Sequence, residues 1–356
     1  MSKRSLIHRG TAWGEGRPMR AFAGFTLIEL MIAMLLGLIV IGGVVSVFLA
    51  NQRTYRTNQA LGDVQDGSRI AFEMMARDIR DAGLTGCGNA GRVANVLNNA
   101  PGGTTPKWWA DWGNAVHGYD AGTGADPALT VGTAAGNQVA GTDSLQLLGA
   151  ADTGLSVAAT PSSTAANFKL NDKTSDLTTG DVIIVCDPDH ATIVQITNYT
   201  DSNVTVVHNA GGSTSPGNCS KGMGYPTLCT TNGNGYQFGP NSQIFKLAAV
   251  DWYIGTNPIG GTSLYRVSVA TSGGVPTATP QEMVRDVTSM SLRYHQTGSA
   301  SFVTAAAIGA ATANWATVDA VQVSLTLESV DKRAGTNAKA ISRNFTATTT
   351  VRNRVQ

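Results

Sequence analysis

Few side chains in this 356-residue chain stand where they could do chemistry, and the most demanding is Glu29, a carboxylate at the head of an apolar stretch. A carboxylate at membrane depth is costly and marks a functional position by default; close to the surface it could instead snorkel to lipid headgroups. Four cysteines, Cys87, Cys186, Cys219 and Cys229, permit two disulfides. There is no close Cys-x-x-Cys pair and no neighbouring His set, which disfavours zinc. In an oxidising compartment disulfides are the default. The expected pairing is Cys219–Cys229, closing a short loop, and Cys87–Cys186, tying a helix end to a strand, although four cysteines leave three pairings open. Cys186-Asp187-Pro188-Asp189-His190 gathers two carboxylates and an imidazole, a set that could bind metal or move protons. Pro188 breaks any regular spacing, so a polar turn after a strand is the stronger expectation. Trp108, Trp109 and Trp112 could form a platform for a sugar or a partner; plugging the core under a long loop is favoured over that. Residues 231–235 hint at a calcium loop but lack its carboxylates. With no Gly-x-Ser-x-Gly, phosphate loop or dinucleotide fingerprint, no catalytic, cofactor or metal site is expected.

The element that holds Glu29 is unambiguous. Residues 30–49 contain one hydroxyl, Ser46, and no charge. Twenty helical residues rise about 30 Å, the thickness of a bilayer core. Residues 1–24 carry Lys3, Arg4, Arg9, Arg17 and Arg20 against Glu15 alone, which predicts a cytoplasmic N-terminus and an exported remainder after Ala50. The apolar run is too long for an ordinary signal peptide. The one tidy small-x-small set, Ala21-Phe22-Ala23, precedes it, so the run is expected to be kept.

Composition narrows the rest. Lys+Arg is 25 and Asp+Glu 24, which offers no general basic field for nucleic acid. Hydrophobic residues make up 42 %, enough for a folded core, and the 41 glycines suggest long loops. After Ala50 the chain still reads as helix. Leu61, Val64, Ala71, Phe72, Met75 and Ile79 form one stripe, and Arg69, Glu73, Arg77 and Asp81 form a solvated face. The helix is expected over residues 25–82, with Gly83 as its stop. Residues 88–141 read as loops. Strands are expected at 182–185, 193–196, 204–207, 244–254, 264–269 and 287–294. The clearest is Val321, Val323, Leu325 and Leu327 alternating with polar residues. Residues 211–239 read as an irregular excursion. A helix followed by many strands argues for an α+β fold, a long N-terminal helix packed on an antiparallel sheet.

Gly24-Phe25-Thr26-Leu27-Ile28-Glu29-Leu30, behind a basic leader, resembles the type III signal of type IV prepilins and of type II secretion pseudopilins. The resemblance implies that a prepilin peptidase cuts between Gly24 and Phe25 and methylates the new amine of Phe25. It also implies that Glu29 of an incoming subunit meets the N-terminal amine of a neighbour in a fibre. Carboxylate and ammonium attract strongly where screening is weak, and pairing fixes register. Residues 67–87 resemble the helix end of PilW-type minor pilins, and residues 318–325 and 344–354 look like that family's last two strands. Between them only residues 180–186 match, and loosely. The implied organisation is a cleaved leader (1–24), a transmembrane and fibre-core helix (25–50), an amphipathic helix (51–83) and a periplasmic β-rich domain (84–356). The implied partners are prepilin peptidase, other minor pilins, the major pilin and the inner-membrane assembly platform. The implied location is the inner membrane, then a surface pilus, with roles in twitching, adhesion or DNA uptake and no direct nucleic-acid contact. Two rivals share parts of this pattern: a J-like pseudopilin of a type II secretion system, and a membrane-anchored periplasmic binding protein.

Overall fold

The computed structural model describes residues 24–88, 91–103, 105–121, 125–159, 162–163, 165–211 and 214–354. The expected leader, apart from Gly24, lies outside the described residues. The chain divides into two compact units, Met1–Tyr55 and Arg56–Gln356.

Helix α1 (Leu27–Asp81) begins in the first unit and ends in the second. It starts and stops within two residues of the expected positions. Gly83 ends it with φ +74°, a left-handed conformation that glycine adopts without strain, and its N–H donates to Leu148 O at 2.7 Å.

Fourteen strands follow among the described residues. β1 (Val93–Asn95) and β2 (Val116–Tyr119) precede the long β3 (Ser144–Ala159). β4 (Asn167–Leu170), β5 (Val182–Cys186), β6 (Ala191–Gln195), β7 (Asn198–Thr200) and β8 (Thr205–Val207) are short. β9 (Gln243–Thr256), β10 (Thr262–Ser272) and β11 (Val275–Arg285) complete the larger sheet. β12 (Val287–Gln296), β13 (Val318–Glu328) and β14 (Ser342–Thr350) form a separate antiparallel sheet in that order.

Antiparallel β3 and β9 are the spine of the larger sheet. β3 also pairs with β2 near its start and β4 near its end. β9 also pairs with β5 near its start and β10 near its end. β5 is buried at every position. Ile183 and Val185 join one core, whereas Val182, Ile184 and Cys186 join another. A strand covered on both faces must be apolar throughout, as this one is.

The main core joins helix to both sheets. Val64, Ala71, Met75 and Ile79 of α1 pack with Leu145 and Leu147 of β3, Trp252 and Ile254 of β9, and Val321, Val323, Leu325 and Leu327 of β13. Each such aliphatic side chain contributes about 1.5–3 kcal/mol through burial. Leu61 and Phe72 of the expected stripe are half-buried, and Ala60 and Ser68 are buried in addition. The α+β, pilin-like layout is therefore the observed one.

Several local expectations need correction. The stretch 88–141 is not all loop: it holds β1, β2 and two short 3-10 turns, Trp108–Ala110 and Trp112–Asn114. β3, half of the spine, was not expected, nor was β11. Val204 stands outside β8 with φ +50°. The 211–239 excursion carries isolated bridges but no strand among its described residues.

Candidate assembly site

At the head of α1, Thr26 and Glu29 cap the helix reciprocally. Glu29 N–H donates to Thr26 Oγ1 at 3.3 Å, and Thr26 N–H and its hydroxyl donate to Glu29 Oε2 at 3.3 and 3.2 Å. This capping box satisfies backbone donors that the first helical turn leaves orphaned. Its Thr-x-x-Glu pattern is a local sequence signal for such a cap. Residues 24–50 are exposed throughout except for half-buried Gly37, and Phe25 is 86 % exposed. A Cβ added at Gly37, Gly42 or Gly43 would meet nothing within 4 Å. Ser46 returns its hydroxyl to Gly43 O at 2.7 Å, leaving the polar group satisfied within the helix. The segment is long and apolar enough to cross a membrane.

In the second unit α1 is clamped by a charged junction that the sequence reading overlooked. Asp78 accepts from Trp252 Nε1 at 2.9 Å and from Arg266 Nε at 2.8 Å. The guanidinium also lies over the Trp252 ring, 5.9 Å from its centroid. By contrast Arg69 and Glu73 pair on the solvated face at 2.9 Å, with side chains 78 % and 66 % exposed. Beyond the helix, Gly149 lets the backbones meet: a Cβ there would lie 2.7 Å from Asp81 O.

The sulfurs of Cys87 and Cys186 are 1.98 Å apart, and those of Cys219 and Cys229 2.06 Å. The first bridge ties the loop after α1 to the end of β5. The 187–190 segment is a turn between β5 and β6. Asp187 Oδ1 accepts from the N–H groups of Asp189 and His190, and Asp187 Oδ2 accepts from the Tyr236 hydroxyl at 2.7 Å. Asp189 holds Arg92 through two bonds, and the His190 ring stacks on Tyr236 at 4.2 Å. These groups pin the 211–239 excursion to the sheet. Trp109 is core, and Trp108 and Trp112 are half-buried against it.

A polar layer lies under residues 125–143. Asp126 accepts from Ser144 and Gln146, and Asp251 is fully buried close to Asp126. Burial, then the charge of Asp126, pushes the Asp251 carboxyl well above its ordinary range. Burial thus favours the neutral, protonated form of Asp251. Burial likewise lowers His117, and pushes His208 down to about 4, with both His208 ring nitrogens unpartnered. Among the described residues no three metal-ligating side chains converge.

Comparison with known families fits this architecture at both ends of the chain. Residues 19–45 match the prokaryotic N-terminal methylation motif, a span that includes Gly24, Phe25 and Glu29. Residues 251–354 match the type IV pilus-assembly protein W family, from within β9 through β14. No match to a curated protein was found. The first match covers the head of α1, and the second covers β10 to β14, including the β12–β14 sheet against which the amphipathic half of α1 packs in part. At both ends the chain thus matches a PilW-type, prepilin-like protein, and its apolar N-terminal helix fits a membrane-anchored pilin.

Proposed function

We propose that this chain is a minor pilin that helps to start type IV pilus fibres. It is made as a precursor, cut between Gly24 and Phe25 by prepilin peptidase and methylated on the Phe25 amine. Residues 25–50 wait in the inner membrane with the N-terminus cytoplasmic, and residues 84–356 lie in the periplasm behind the amphipathic helix of residues 51–83. With other minor pilins the subunit then primes the fibre at or near its tip, supporting twitching, adhesion or DNA uptake in a structural, non-enzymatic role. The observation that carries this reading is the methylation motif at the head of an apolar helix exposed over residues 24–50. Such a helix needs lipid or neighbouring helices to cover it.

Glu29 has two partners in succession on this reading. Before assembly it caps its own helix with Thr26; in the fibre it meets the methylated amine of a neighbouring subunit. The test is mass spectrometry of the protein's N-terminus in cells with and without prepilin peptidase. N-methylated Phe25 that disappears without the peptidase is expected, and an uncut chain in both strains would overturn the reading. Glu29→Ala is expected to be processed normally but to enter pili poorly. Loss of protein secretion with intact pili in a deletion strain would instead assign the chain to a secretion system.

A further inference from the structure

A cleft of about 1360 Å³ opens in the second unit, between the loop after α1, the Trp112 turn, the Cys219–Cys229 loop and the C-terminal segment. It exceeds the roughly 300–1,000 Å³ of a small-molecule site, so its room suits an extended, chain-like ligand. The groups it leaves free are specific. Trp112 is half-buried, and its Nε1 has no acceptor among the described residues. Asp111 holds Asn114 Nδ2 through Oδ2 and keeps Oδ1 uncommitted. Asn98 spends its Nδ2 on Pro216 O and keeps Oδ1. Arg352 is exposed and pairs with no side chain among the described residues. At Gly88 and Gly102 a Cβ would meet nothing within 4 Å, so those walls stand open.

We infer that this cleft binds a glycan chain. An indole face packs against the C–H face of a pyranose ring, while a carboxylate and an amide oxygen accept from its hydroxyls and a guanidinium donates to them. The alternatives fit less well. A nucleic acid needs several cations; Arg354 is committed to Trp315 O and Val318 O, and Asp111 repels phosphate. A protein hot spot centres on clustered apolar anchors, whereas three of the four uncommitted side chains here, Asp111, Asn98 and Arg352, are polar.

The test uses the full-length protein in detergent on an array holding cello-, malto- and chito-oligosaccharides together with purified cell-wall glycan strands. Binding to one of these is expected, with quenching of tryptophan emission on titration of the same oligosaccharide. Binding to cell-wall strands alone assigns the ligand to the cell's own wall; binding to the other oligosaccharides assigns it to an outside surface. Trp112→Ala should weaken binding at least tenfold and Trp112→Phe should retain most of it. Asp111→Asn and Arg352→Ala, which leave the core untouched, should each weaken it severalfold without shifting the melting temperature. No binding by the wild-type protein, or binding that all four variants preserve, would overturn the inference.

Discussion

Replacing Asp78 by alanine should loosen the amphipathic half of α1 from its sheet. Asp78 accepts from Nε1 of the fully buried Trp252 and carries the ion pair to Arg266. Breaking a buried pair costs about 3–5 kcal/mol because the surviving charge stays desolvated. Here the two side chains are 26 % and 20 % exposed, so water recovers part of that. A loss of about 2–4 kcal/mol remains. At roughly 2–4 °C per kcal/mol for a large domain, the melting temperature should fall by about 4–16 °C. Asp78→Asn keeps an acceptor for Trp252 but not the charge, and should fall between. Glu73→Ala, which breaks only the exposed pair with Arg69, should leave the melt close to wild type. Circular dichroism melts of the full-length protein in detergent decide this. If Asp78→Ala melts within about 2 °C of Glu73→Ala, the junction is not a clamp and the reasoning fails.

Two titrations of opposite sign should shape the stability profile. The folded Asp251 carboxyl keeps a proton that the unfolded chain releases above about pH 4, so its contribution is full in acid and declines as pH rises. Asp251→Asn should therefore raise the melting temperature at pH 8 relative to wild type; an unchanged or lower value would contradict the burial-raised carboxyl. His208 is held neutral down to about pH 4, so stability is full above about pH 6.5 and declines between 6.5 and 4, by at most on the order of 3 kcal/mol. Urea titrations of His208→Leu should lose that acid limb, and a wild-type-like limb would refute it. Removing the 99-residue-separated bridge by Cys87→Ala with Cys186→Ala should cost about 4–5 kcal/mol, against about 3 for the 10-residue-separated Cys219–Cys229 pair. Equal melting temperatures for the two double variants would argue against loop entropy as the cause.

What the sequence made legible was what burial and repetition write into it. The apolar run, the helical stripe, the doubly covered β5 and the alternating β13 each carry a strong period. β3 escaped notice because Gly149, Asp152 and Gly154 interrupt its alternation where the strand bulges between Asp152 and Leu155. β11 escaped notice because an exposed edge strand with Pro276 and Pro280 has no apolar face to show. Asp78 sits one position from Arg77 on a helix whose charges read as solvated, and only its partners 174 and 188 residues away give it a role. The Asp126–Asp251 pair is likewise a product of long-range folding. Gly24, Phe25 and Glu29, the proposed processing and assembly positions, are local in sequence, so a short motif is enough to raise that proposal.

The bridge from Cys87 to Cys186 has a mechanical consequence. Load applied along α1 reaches the sheets first by shear across the packed face and the Asp78 junction, both non-covalent. Five residues separate Asp81 from Cys87, so once that face slips the covalent link tightens on β5 before Asp81 lies more than about 20 Å from Cys87. With the link closed, the unit can yield and re-seat under tension without losing its helix; with it reduced, the same pull has nothing to stop it short of unravelling the loop that follows.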